Sequence, residues 1–319
     1  MSTLEDLRNH TSLLYYEPHN IDLKKEIGQG GNSKVYHCSI NNNEYAVKIY
    51  HLDLDCGYED QIYELNVSEK LSNTKQIIKT YGYSYKMMDE YTCFMIIMEL
   101  LTTEGDLYDY IQNSQWTSCR YTDINGKNEL VPKPNSDYVY FNKSDNIHWC
   151  YNLSIQTKIN ITKSFANALS ELYSKNIIHG DLKTNNLLIY HKNNTEHIKI
   201  IDLNTATRVK GESKDVIPIN CKYGTEGYTA PEQYNFELHY KSDIYSWAVT
   251  IIEIWNGDIW YDNEGFKESR KEVLNGLRKI ENNHPDFGKL LRKCISLDYH
   301  KRPYINTLLN KLNDISFYS

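Results

Sequence analysis

The chain has 319 residues, 40% hydrophobic and 24% charged, enough for one large two-lobed domain or two ordinary ones. A net charge of -7 argues against a protein held on nucleic acid or anionic lipid by bulk charge. Seven cysteines, scattered singly without a Cys-x-x-Cys, give no support to a disulfide frame or a zinc site; they fit reduced thiols in a soluble, cytoplasmic protein, and no run approaches the roughly 18 apolar residues of a membrane span.

In chain order, residues 1 to 20 read as a short lead. Ser2 and Glu5 form a capping box before Leu4, Leu7 and a Leu13-Leu14 pair, and the segment is expected to be a frayed terminus rather than a docking helix. Strand-like runs follow in "IDLKKEIGQGG", "SKVYHCSI" and "EYAVKIY", the last two separated by an Asn-rich turn. A helix is predicted through "EDQIYELNVSEKL", where Ile62, Leu65 and Leu71 recur near helical spacing, and two further strands lie around "IIKTYGYSYK" and "YTCFMIIMEL". Residues 112 to 152 are rich in Asn, Ser, Asp, Tyr and Pro, and read as an insertion, either a functional excursion or, as preferred here, an inert surface loop. A helix is predicted from Leu153 to Ser174, a strand at "HIKII", and mostly helices from Lys241 onward. The 28 tyrosines against seven phenylalanines look like codon bias rather than chemistry.

The stretch "IIHGDLKTNN" sets Asp181, Lys183 and Asn186 in one loop: a proton acceptor, a cation and a neutral metal ligand. Such a set suits transfer of a highly charged group, where positioning and charge neutralisation are most of the task. "HIKII" then ends in Asp202, a second metal-ligand candidate. Upstream, Gly28, Gly30 and Gly31 lie between two strands, where missing Cβ atoms let backbone N–H groups approach phosphate oxygens. Lys48, flanked by apolar residues in "YAVKIY", needs a buried partner, and Glu64 on the predicted helix is the obvious one.

With "AVK", "IYELNVSEKL", "HGDLKTNN", "DLN", "GTEGYTAPE", "SDIYSWAV" and "HKRPY" in order after the Gly-rich loop, the chain resembles the eukaryotic-type protein kinase family from about residue 21 to 315. The resemblance implies an α+β, bilobal fold: a small antiparallel-sheet lobe with one key helix over residues 21–98, a hinge at 99–101, and a larger, mainly helical lobe over 102–315, followed by a tail at 316–319. It implies ATP and Mg²⁺ as cofactors, a protein substrate with a Ser/Thr acceptor, and Asp181 as the base. Lys183 would neutralise the transferring phosphoryl group. Lys48 would hold the α- and β-phosphates, paired with Glu64, and Asn186 and Asp202 would hold two Mg²⁺ ions. The loop Ile27, Gly28, Gln29, Gly30, Gly31, Asn32 and Ser33 would cover the phosphates. Val35 and Ala46 above and Leu188 below would enclose the adenine, Met98 would gate the pocket, Glu99, Leu100 and Leu101 would form the hinge, and Asp106 would meet the ribose or a basic substrate residue. Glu232 with Arg302, and Asp243, match structural positions. Lys183 and Thr225 favour the serine/threonine branch.

Three departures stand out. Gly180 replaces the arginine that usually precedes the aspartate in members switched by loop phosphorylation, and Cys221 stands where a phosphorylated threonine often does. The loop over residues 205 to 229 is therefore expected to be active without a phosphate, for example on Ser213, the alternative being control by a partner on the helix carrying Glu64. Ser33 replaces the third loop glycine, and the metal triplet is Asp-Leu-Asn. A kinase-like scaffold acting by partner binding is the alternative, weighed down by the retention of Lys48, Asp181 and Asp202; a small-molecule phosphotransferase is disfavoured by "GTEGYTAPE".

Overall fold

The computed structural model of the protein describes residues 11–30, 33–53, 58–88, 90–101, 105–113, 118–122, 128–132, 146–149, 153–209, 217–219, 224–256 and 266–317. The chain divides into two compact units, residues 1–102, 171–179 and 199–211 in one and 103–170, 180–198 and 212–319 in the other. The expected capping box at Ser2 and Glu5, and Gly31, Asn32, Ser213 and Cys221, lie outside the described residues.

In the first unit, β1 (Leu14–Tyr15), β2 (Asp22–Gln29), β3 (Ser33–Ile40), β4 (Asn43–Asp53), β5 (Thr80–Met87) and β6 (Tyr91–Glu99) form one sheet in the order β1-β5-β6-β4-β3-β2. All pairings are antiparallel except that of β1 with β5. The β3–β4 turn places Asn41 and Asn42 at φ 49° and 63°, left-handed angles that asparagine tolerates better than most residues. Strand alternation divides the apolar residues between two faces. Val47, Ile49, Met95 and Ile97 join Cys38 and Ile40 in one cluster, whereas Tyr50, Phe94, Ile96 and Tyr83 join Leu65 in another. Leu65 belongs to α1 (Glu59–Lys70), so the helix packs on the face that also carries Lys48 and Tyr50. Glu59 and Asp60 occupy the first turn of α1, where carboxylates favour the helix dipole, and Tyr58 OH bonds Thr92 Oγ1 at 3.0 Å beside that end.

Two returning segments complete this unit. Ile78 N–H donates to Ile200 O and Ile200 N–H to Gln76 O, each at 2.9 Å, and Ile177–Ile178 pairs antiparallel with Thr207–Arg208. These backbone bonds explain why residues 171–179 and 199–211 group with the sheet.

The second unit is mainly helical: α2 (Leu107–Asn113), α3 (Ile155–Ser174, continuing past 170), α4 (Tyr240–Asn256), α5 (Phe266–Asn283), α6 (Pro285–Cys294) and α7 (Ile305–Asp314). Every residue of α4 from Lys241 to Trp255 is buried, the polar Lys241, Ser242, Asp243, Ser246, Thr250 and Glu253 among them. Trp255 Nε1–H donates to Thr162 Oγ1 at 3.0 Å, and its ring packs on Phe287 and Phe317. Proline at the first position of α6 has no N–H to leave unsatisfied.

Two expectations are corrected. Residues 11–20 of the lead form β1 and a short 3₁₀ turn (Pro18–Asn20) on the sheet, not a frayed end or a helix, because Leu13 and Tyr15 have an apolar cluster to join. The insertion at 112 to 152 is not irregular throughout: β7 (Ser118–Thr122), β8 (Asn128–Pro132) and β9 (Asn146–Trp149) form an antiparallel sheet with β7 central. Its turn-rich composition hid strands of four or five residues.

Candidate active site

Each unit holds a cluster of the residues singled out by chemistry. In the first, Lys48 and Tyr50 sit two apart on β4 and so project to one face. Lys48 Nζ donates to Glu64 Oε1 at 3.0 Å and to Asp202 Oδ1 at 2.7 Å; Tyr50 OH donates to Glu64 Oε2 at 2.6 Å. Burial alone would lower the Lys48 pKa, but the two carboxylates reverse this and hold the ammonium above the ordinary lysine range. Burial and the Glu64 charge push the Tyr50 phenol up, so it remains a donor. Tyr50 was missed from sequence, although strand alternation from Lys48 points to it.

Asp202 has φ 60° and ψ 76°, the left-handed region that a non-glycine residue enters at a cost. The residue after it, Leu203, is buried, and Tyr63 of α1 accepts from Arg208 N–H at 2.9 Å, joining the helix to the segment beyond the triplet. Glu99 at the end of β6 is fixed by its surroundings: its carboxylate takes Lys79 N–H at 2.7 Å and Lys199 Nζ at 2.5 Å, and its own N–H donates to Lys79 O at 2.9 Å. Lys199 was also missed, since a contact across 100 residues leaves no local pattern. Met98 packs beside the Phe94 cluster, Ala46 is buried, Val35 is half-buried and Ile27 is exposed. Gly30 N–H closes the loop on Ser33 O at 2.8 Å, between Gln29 and Ser33, which end and begin their strands; Gly28 lies within β2.

In the second unit, Asp181 Oδ1 accepts from Thr225 Oγ1 at 2.8 Å, and Lys183 Nζ lies 2.6 Å from Thr225 Oγ1 and 3.3 Å from Asp181 Oδ2. Asn186 Nδ2 donates to Asp181 O at 2.7 Å and Oδ2 at 3.2 Å, which presents the amide oxygen as the acceptor end. Asp106 pairs with Leu188 through an isolated antiparallel bridge, caps α2 by accepting Tyr110 N–H, and takes Asn185 Nδ2 at 3.2 Å.

Gly180 has φ 83°, and its backbone is held at both ends: N–H donates to Asp243 Oδ1 at 2.9 Å, and C=O accepts from Gln233 Nε2 at 2.9 Å. Sequence reasoning gave this glycine a meaning only as a missing arginine. The left-handed angle adds a backbone reason. Arg302 and Glu232 form a two-point pair at 2.6 and 2.7 Å, both fully buried, with Ser242 Oγ completing the carboxylate and the carbonyls of Lys241 and Ser296 completing the guanidinium.

Comparison with known proteins matches the protein kinase domain model to residues 21–312. A chain of Dictyostelium discoideum described as a probable serine/threonine-protein kinase is 29% identical over 302 residues, covering 92% of this chain and 19% of that protein. Two serine/threonine-protein kinases of Arabidopsis thaliana are similar: VIK, 28% identical over 51% of this chain and 39% of its own length, and STY17, 30% identical over 50% and 28%. This chain therefore spans about a fifth to two-fifths of these relatives. The matched span takes in both clusters and most of the described chain, and on that ground the chain belongs to the protein kinase family.

Proposed function

We propose that the chain transfers the γ-phosphoryl group of ATP to a serine or threonine hydroxyl of a protein, with Asp181 as base. The observation that carries this is the Asp181–Thr225–Lys183 triangle, in which a carboxylate is kept oriented beside a cation. Asp181 takes the proton of the acceptor hydroxyl, and Lys183 offsets charge on the transferring group. Thr225 and Lys183 together support a Ser/Thr acceptor.

The donor set suits Mg²⁺, a hard cation that prefers oxygen: Asn186 offers an amide oxygen, oriented because its nitrogen is engaged, and Asp202 a carboxylate. The two Mg²⁺ ions that Asn186 and Asp202 would hold would neutralise the phosphates of ATP. Lys48, steadied by Glu64, serves the α- and β-phosphates, with the loop from Ile27 to Ser33 above them. Val35, Ala46, Leu188 and Met98 line the adenine site, Glu99 and Leu101 offer backbone groups to the base, and Asp106 meets the ribose or a basic substrate residue. A reducing, cytoplasmic setting is the reading for the cysteines; Cys38, Cys93 and Cys294 are free thiols, and among the described residues no helix is long and apolar enough to cross a membrane.

The test is incubation with labelled ATP, Mg²⁺ and a generic basic protein. Asp181→Ala is expected to lower turnover by about 10²–10⁴-fold. Equal labelling by both proteins would reject Asp181 as base, and labelling by neither would favour a scaffold.

A further inference from the structure

The lead segment grips α1 at Glu69, in the last turn of the helix that carries Glu64. Ser12 N–H donates to Glu69 Oε1 at 2.8 Å, the Ser12 hydroxyl donates to the same oxygen, and the Thr11 hydroxyl donates to Oε2 at 3.0 Å. Thr11 Oγ1 also accepts Leu13 N–H at 3.1 Å, which shapes the turn. Burial would raise the Glu69 carboxyl, but the bonds from Ser12 and Thr11 outweigh it and leave the group below the usual glutamate range. Three donors on an ionised acceptor are stronger than their neutral counterparts.

Beyond the grip the segment is fastened to the sheet. Leu14 and Tyr15 pair with Gly82 and Tyr83, and Tyr16 N–H donates to Tyr83 O at 2.9 Å. Gly82 is required by the approach: a Cβ there would lie 2.1 Å from Leu14 O. Leu13 and Tyr15 pack on the cluster that contains Leu65 of α1 and Tyr50, the residue that bonds Glu64. The segment thus reaches α1 by two routes, polar at Glu69 and apolar through the cluster that Leu65 shares with the sheet.

We propose that Thr11–Tyr16 is an intramolecular strap that holds α1 where Glu64 meets Lys48, with Glu69 as the positioning residue it grips. This rests on the role proposed for Lys48 and Glu64. Ser12 is exposed, so a phosphate added to it would set negative charge against Glu69 and release the strap.

Four variants of the full chain test this: Thr11→Val with Ser12→Ala, Ser12→Asp, Gly82→Ala, and Ser12→Thr as the conservative control. The readouts are kcat and KM with labelled ATP and a basic protein, and amide hydrogen exchange across residues 59–70. The first three are expected to lower kcat about tenfold with KM for the protein substrate unchanged, and to accelerate exchange in α1 about tenfold, while Ser12→Thr retains both. Should Gly82→Ala not fold, the surface variants decide. Unchanged exchange in α1 overturns the strap whatever the activity; so does faster exchange with an unchanged kcat. If the wild type transfers no phosphoryl group, the catalytic reading fails separately, and α1 exchange alone then supports or overturns the strap.

Discussion

Two buried ion pairs, one in each unit, are built on opposite plans. Arg302 meets Glu232 at two points, and all the neighbouring partners are neutral: a serine hydroxyl and two backbone carbonyls. Lys48 instead faces two carboxylates through single contacts, one of which, Asp202, has a side chain 32% exposed. Glu64 in turn has a second donor in Tyr50. The first arrangement is balanced and geometrically closed, so it braces. The second has more acceptors than its cation can neutralise and can give one up. Burial alone does not distinguish bracing from chemistry; the count and geometry of partners do.

That contrast is most easily broken by Arg302→Leu, which leaves Glu232 buried without its cation. A loss of about 3–5 kcal/mol is expected, read as a fall in Tm; an unchanged Tm would refute the bracing role. Next comes Lys48→Met, expected to lower turnover by about 10²–10³-fold while moving Tm less than Arg302→Leu does. A Tm loss as large as that of Arg302→Leu would make both pairs braces. Tyr50→Phe keeps Lys48 on Glu64 but removes one of its two bonds, and a roughly five- to tenfold drop in turnover is expected in steady-state assays. Wild-type rates would show that Lys48 suffices to orient Glu64.

Glu253 sharpens the comparison, being a buried acid that accepts from a phenol: Tyr228 OH donates to Oε2 at 2.8 Å. Burial pushes its carboxyl up to about 8, against which the Tyr228 bond acts only weakly. The native state therefore keeps a proton that the unfolded chain releases above its ordinary value of 4.5. The stabilisation is complete below that pH and is lost as pH rises through about 8. Glu253→Gln should flatten Tm against pH over this window and raise Tm at pH 8 by a few degrees. Parallel Tm profiles for the two proteins would show that Glu253 does not titrate there.

What could be read from sequence follows chain distance. Asp181, Lys183 and Asn186 share one loop, and Lys48 stands in an apolar strand with its acid on the next helix, so local patterns expose them. Tyr50 was legible by alternation and passed over as one tyrosine among 28. Lys199 on Glu99 and Ser12 on Glu69 were not legible, because each contact joins residues 100 and 57 apart through polar side chains common on any surface. The strands at 118–149 were hidden for another reason: short, turn-flanked segments take their register from one another rather than from an apolar core pattern. Gly180 was noticed, yet its left-handed angle is a property of how Asp243 and Gln233 hold the loop.

Seven non-glycine residues among those described have φ between 49° and 63°, and five of them are asparagines: Asn41, Asn42, Asn176, Asn193 and Asn194. With 15 glycines in 319 residues, the protein turns many of its corners on amides that are also thermolabile. Prolonged warming should convert them to carboxylates, so material aged by heat would grow more acidic at its bends while its apolar clusters keep their composition.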